Sequence, residues 1–162
     1  MSRLIGKLVK VAVLAMATGI VVMLVGMRTK CEPILCAVRK VNRAFWNPRA
    51  MKTAGTLGAY ASVIRHVGRT SGQAYETPIG AEPTDDGFVI AIPYGAGADW
   101  VKNVLAAGAA TIVDEGVVHE VDRPEVVPIN LVESWFPAKD QRAHRLFGVD
   151  ECLRVHRVAS AG

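Results

Sequence analysis

Gly68-Arg69-Thr70-Ser71-Gly72 sets one guanidinium and two hydroxyls between two glycines. An arginine fork can grip a phosphate or carboxylate through two parallel hydrogen bonds, and flanking glycines let backbone N–H groups converge on the same anion. A second cluster follows, in which the Gly/Ala loop from Tyr94 to Ala98, containing Gly95 and Gly97, opens into a helical pattern at Asp99. A helix start presents unpaired N–H groups and a partial positive charge, so it too suits an anion. Trp100 and Asn103 stand three apart and share one face of that helix. Each cluster alone has a plainer reading, as a polar hairpin turn and as a packing helix capped by Asp99. Together they describe the two sides of an anion cradle.

Other chemistries find less support. Thr70 holds the central position where a GxSxG elbow needs serine, so Ser71 is not read as a hydrolase nucleophile. His66, His119, His144 and His156 lie far apart without HxxxH spacing and read as surface or satisfied strand histidines; no metal site is expected. Cys31, Cys36 and Cys152 form no CxxC pair and read as reduced thiols. No pair of carboxylates has spacing suited to acid/base work. Tyr75 and Glu76 read equally as pocket mouth or solvent-facing strand, and Trp135 and Phe136 as substrate wall or core.

The elements that would position these residues are short. Ala61 to Val67 and Gln73 to Ala81 read as strands on either side of the basic turn, and Phe88 to Ile92 as a third strand after the Asp85-Asp86-Gly87 turn. The helix from Asp99 to Gly108 follows. Thr111 to Val113 and Val117 to Val121 read as a hairpin, Pro128 to Phe136 and Lys139 to Phe147 as helices, and Cys152 to Val158 as a closing strand. Hairpin-linked strands with one inserted helix predict an α+β domain whose antiparallel sheet closes toward a small barrel, and no strand-GxGxxG-helix unit supports a Rossmann fold.

The 162 residues suit one globular domain behind an unlike N-terminus. Val11 to Met27 is an unbroken apolar run of 17 residues, long enough for a membrane helix, and no small neutral cleavage region follows it. The cations Arg28, Lys30, Arg39, Lys40, Arg43, Arg49 and Lys52 outnumber Arg3, Lys7 and Lys10 on the other flank, which predicts an anchored chain with its globular domain in the cytoplasm. Residues 33–52 have the pattern of an amphipathic helix, with Ile34, Leu35, Val38, Val41 and Phe45 on its apolar face, for a membrane surface or for packing. The expected organisation is an anchor over 1–30, a linking helical segment over 31–60 and a barrel over 61–162. A net charge of +4 without long Lys/Arg blocks favours an anionic small molecule or a membrane surface over nucleic acid.

Through Asn47-Pro48, RHVGRTSG, TPIG, GFVIAIPYG, ADWVKNVLAAGAATI and FGVDECLRVHRV, in that order, the chain resembles the deazaflavin-dependent nitroreductase family of actinobacteria, among the flavin-binding split β-barrel proteins. The resemblance spans about Asn47 to Val158. It implies a split β-barrel of antiparallel strands with inserted helices, binding the 8-hydroxy-5-deazaflavin coenzyme F420 and passing its hydride to a substrate. It also implies that Arg69, Thr70, Ser71 and Gly72, with Tyr94, Gly95, Trp100, Lys102 and Asn103, surround the coenzyme, and that the Tyr94 hydroxyl is the candidate proton source. Thr70 and Tyr75 stand where many relatives carry basic residues. With a membrane helix alongside, the expected acceptor is lipophilic: a quinone, a nitro compound or an unsaturated lipid. Alternatives on the same barrel are an FMN or haem protein and a non-catalytic lipid binder, and a homodimer is compatible with either.

Overall fold

The computed structural model describes residues 2–158, so residue 1 and residues 159–162 of the expected segments lie outside the described residues. The chain opens with α1 (Ser2–Arg28) and continues through α2 (Glu32–Val41), a π-helical turn (Asn42–Trp46) and one further turn, α3 (Asn47–Ala50). The barrel strands are β1 (Ser62–Val67), β2 (Ala74–Ile79), β3 (Ala81–Pro83), β4 (Gly87–Ala91), β5 (Ala109–Asp114), β6 (Val117–Pro128) and β7 (Glu151–Arg157). Helix α4 (Asp99–Ala107) separates β4 from β5, and α5 (Ala138–Phe147) separates β6 from β7.

All pairings are antiparallel, in the order β2-β1-β5-β6-β7-β4-β3. The two edge strands, β2 and β3, are joined through Gly80 alone. Two residues of chain span at most about 7 Å, so the edges must meet there and the sheet rolls into a barrel. The single strand expected over Gln73 to Ala81 is therefore split at Gly80, with one half serving each edge. This is the α+β split barrel, preceded by a long apolar helix.

The barrel interior is filled by Ile64, Phe88, Ile90, Ile112, Val121, Leu153 and Val155, with Val101 and Val104 of α4 closing one end. A second cluster forms outside β4 and β7, where Val89 and Cys152 pack under Ile129, Val132, Phe136 and Val149. Burial on both faces explains why β4 reads as a continuous apolar run rather than an alternation. It also pushes the Cys152 thiol up to about 11, leaving it protonated and inert.

Three sequence expectations change. The helix expected over Pro128 to Phe136 is instead the end of a 12-residue β6 followed by two 3-10 turns, Ile129–Leu131 and Glu133–Trp135. Arg123, at positive φ, makes a bulge between Asp122 and Glu125 that carries β6 past its expected end. The amphipathic segment at 33–52 is helical without a break from Glu32 to Ala50, but a π-helical turn interrupts its regular spacing and its apolar face is divided: Leu35 is buried, whereas Val41 and Phe45 are exposed. Finally, Ala98 occupies the N-cap of α4 and Asp99 is the first helical residue, making no side-chain cap bond.

Candidate functional site

The turn after β1 is built on close approach. A Cβ on Gly68 would lie 2.8 Å from the Tyr75 ring and closer still to the Ser71 hydroxyl, so only glycine lets Ser71 fold back over it. The Ser71 hydroxyl meets the Tyr75 hydroxyl at 3.2 Å and accepts from the Gln73 N–H. Gly72 supplies the left-handed residue, φ 66°, that reverses the chain.

From this turn Arg69 reaches the start of α4. Its N–H and its Nη1 both donate to Asn103 Oδ1, at 3.2 and 2.8 Å, and Nη2 pairs with the Asp99 carboxylate at 3.2 Å. Because Oδ1 of Asn103 faces Arg69, its Nδ2 must donate to His66 Nδ1, 3.2 Å away. His66 Nε2–H then donates to Thr77 Oγ1 at 3.1 Å, which assigns a neutral imidazole with its proton on Nε2. One hydrogen-bonded line, Thr77-His66-Asn103-Arg69-Asp99, ties β2, β1 and α4 together. Burial lowers the pKa of His66, in keeping with the neutral form.

The turn and the helix start form one wall of a cleft of about 980 Å³. Arg69, Thr70, Ser71, Tyr94, Gly95, Trp100 and Asn103 all line it. Gly72 and Lys102 are exposed and do not line it, because Gly72 faces out at the tip of the turn and Lys102 sits on the solvent side of α4. The residues following α1 form the roof: Arg39, Asn42 and Arg43, none expected at a site, line the cleft from above. Their spacing, three and then one apart, places them on the polar side of the amphipathic segment and was the available signal. Arg39 Nη2 reaches the Tyr94 carbonyl at 3.4 Å, and Asn42 Nδ2 donates to the Tyr94 hydroxyl. Burial raises the Tyr94 phenol pKa, the Asn42 bond opposing it, so the hydroxyl keeps its proton at neutral pH.

The far end of the cleft is different in character. Phe136, Phe147, Val149 and Met51 line it with His144, beside Glu82 and Asp140. Burial, then repulsion from Asp140, raises the Glu82 pKa. Burial lowers that of His144, against the pull of Glu133 and Asp140. Among the described residues no group of three His, Cys, Asp or Glu is placed to hold a metal ion.

The two lowered histidines make stability depend on pH. Both bind a proton more readily unfolded than folded, so the unfolded chain gains protons first as pH falls through about 6.5. The thermal midpoint is expected to be highest above that pH and to decline toward about pH 5, with a flatter profile in the His66→Gln/His144→Gln variant. An unchanged slope in that variant would remove the histidines as the cause.

No protein-family model matches the chain, and no curated protein matches it. Among solved structures it is similar to an F420-H2 Dependent Reductase (FDR-A), at 14% identity and TM-score 0.46 over 62% of this chain and 97% of that one. A structure described as a domain-swapped dimer matches at 13% identity and TM-score 0.46, over 74% of this chain and 97% of that one. An FMN-binding protein from Syntrophomonas wolfei subsp. wolfei matches at 15% identity and TM-score 0.41, over 77% and 93%. Likeness at this level says nothing about what this chain binds.

Proposed function

We propose that this chain is a membrane-tethered oxidoreductase in which the reduced coenzyme F420 delivers a hydride to a lipophilic acceptor. The observation that carries the reading is the single cleft: donors suited to an anion stand at one end and an aromatic, apolar lobe at the other, in a volume typical of cofactor sites. The residues fit such a group. Arg69, the Gly95 loop and the N-terminus of α4 would hold its anionic part, with Arg39 and Arg43 overhead.

The coenzyme, when bound, supplies the hydride chemistry; the protein orients it and keeps water out. The His66-Asn103 line fixes how Arg69 presents its fork. Trp100, half-buried against the barrel core, gives the cleft a rigid flat wall. Tyr94, protonated and anchored by Asn42, is placed to donate its hydrogen bond to an acceptor oxygen. Phe136, Phe147 and Met51 offer the acceptor an apolar seat. In this reading residues 1–30 are the anchor, and the globular domain is cytoplasmic.

A second reading, an FMN protein or a non-catalytic lipid binder, is favoured by one specific observation. Arg69 is already ion-paired with Asp99, and neither Thr70 nor Tyr75 adds charge. Anaerobic mixing of the full chain in lipid nanodiscs with the reduced coenzyme and a quinone separates the two. Coenzyme oxidation that depends on both chain and quinone is expected; a rate equal to that without protein would leave the binder.

A further inference from the structure

Charge is divided sharply along this chain. Residues 1–75 hold twelve Lys and Arg against one acidic residue, Glu32, for a net +11; residues 76–162 hold seven against fourteen, for −7. The cationic part includes α1, whose Ile5–Arg28 stretch is long and apolar enough to cross a bilayer; within it Gly26 and Met27, at the exit, are buried and the other residues are exposed or half-buried.

The exit of α1 is fixed to the globular domain rather than hinged. Arg28 Nη1 donates to the carbonyls of Arg145 and Leu146, at 2.5 and 3.2 Å. Lys30 Nζ reaches the Gly148 carbonyl at 2.6 Å and pairs with Asp150 at 3.4 Å. Only Thr29, Lys30 and Cys31 separate α1 from α2. A chain leaving the hydrocarbon at Arg28 therefore begins the roof of the cleft within the headgroup layer.

That roof has two faces. The π-helical turn directs Asn42 to Tyr94 inside the cleft, while Val41, Phe45 and Trp46 face outward around a shallow depression closed by Arg49. Phe45 is 57% exposed and Trp46 63%. Arg49 closes this patch and Lys52 follows it by three residues in the chain, and among the described residues neither has an ion-pair partner.

We propose that the Val41-Phe45-Trp46 face is an interfacial membrane contact that lays the roof of the cleft on an anionic lipid surface. Aromatic side chains beside the unpaired Arg49, in the cationic part of the chain, match a headgroup layer of negative charge. A second copy of the chain is a poor occupant, since a two-fold contact would set Arg49 and this cationic segment against their own copies. Tethering by α1 makes the contact intramolecular in effect, so a small patch suffices. The cleft would then load its acceptor from the bilayer. The proposal rests on α1 as the anchor, and it is tested without the coenzyme.

The full chain is reconstituted into phosphatidylcholine/phosphatidylglycerol vesicles with and without acyl-brominated lipid, and its tryptophan emission is compared with that of Trp46→Phe. The emission lost in Trp46→Phe belongs to Trp46; bromination is expected to quench most of it, and aqueous iodide little. Emission quenched by iodide and untouched by bromine would overturn the proposal. So would a dimer of the wild type that Trp46→Phe dissolves. A chain that carbonate strips from the vesicles removes the anchor and this contact together, and leaves the coenzyme reading standing.

Discussion

Arg69→Ala is expected to weaken binding of the deazaflavin coenzyme about 10- to 100-fold while the chain stays folded. Arg69 is the one cation on the wall formed by the turn and the helix start, where its fork is held by Asn103 and Asp99. A hydrogen bond to a charged group is worth about 1.5–3 kcal/mol, and each 1.4 kcal/mol is about tenfold in affinity. The fold loses little, because the Arg69–Asp99 pair is partly exposed and such pairs contribute about 1 kcal/mol or less. Arg65→Ala is the control. Its guanidinium pairs with Glu76 at 2.9 Å and does not line the cleft, so affinity should change little. Equal effects from the two substitutions would mean that net charge, and not the Arg69 fork, holds the ligand.

Gly87→Ala should be among the most damaging single-methyl changes in the barrel. Gly87 opens β4 opposite β7, and a Cβ there would stand far inside contact distance of the Val155 carbonyl, with His156 Cα at 2.8 Å. The obstacle is backbone held in a ladder, which no rotamer change relieves. Overpacking of this kind costs about 1–3 kcal/mol, and the upper end of that range is expected. For a chain of this size that corresponds to a fall of about 6–12 °C in the unfolding midpoint. Gly80→Ala offers the comparison: a Cβ at Gly80 meets nothing within 4 Å and its φ lies outside the left-handed region, so the midpoint should barely move. If both variants melt alike, the close approach of β4 and β7 is wrong.

Those two glycines also show what a sequence can disclose. Gly87 reads as turn punctuation and Gly80 as the interior of one strand, yet Gly87 is needed for a backbone contact across the sheet, and Gly80 marks where that strand divides between two edges. Local signals were sufficient for most elements: Gly108 ends α4 at φ 70°, and the apolar run from Phe88 became a strand buried on both faces. They were insufficient for β6, whose continuation past Val121 depends on a bulge at Arg123 and on pairing with β7. The sequence pattern ends that strand at Val121, and tertiary pairing carries it on to Pro128.

At the cleft, the turn and the helix start were legible because glycines, a guanidinium and helical spacing are local features. Their direct pairing on one wall, through Arg69, Asn103 and Asp99, was not, and neither was His66, whose place in the line to Arg69 arises only when β1 packs beneath α4. It remains a satisfied strand histidine, as its isolation suggested, but the bonds that satisfy it orient the cleft wall. The roof was missed for a similar reason. Arg39, Asn42 and Arg43 looked like the wet side of an amphipathic helix until the fold turned that side over Tyr94.

Titration of the full chain, held in detergent or nanodiscs, against coenzyme F420 and against FMN tests the central claim most directly. Saturable quenching of the deazaflavin fluorescence at micromolar protein, shifted to about 10- to 100-fold higher protein in Arg69→Ala and not displaced by equal FMN, is the expected result. A folded chain that leaves that fluorescence unchanged, or binds FMN instead, would contradict it.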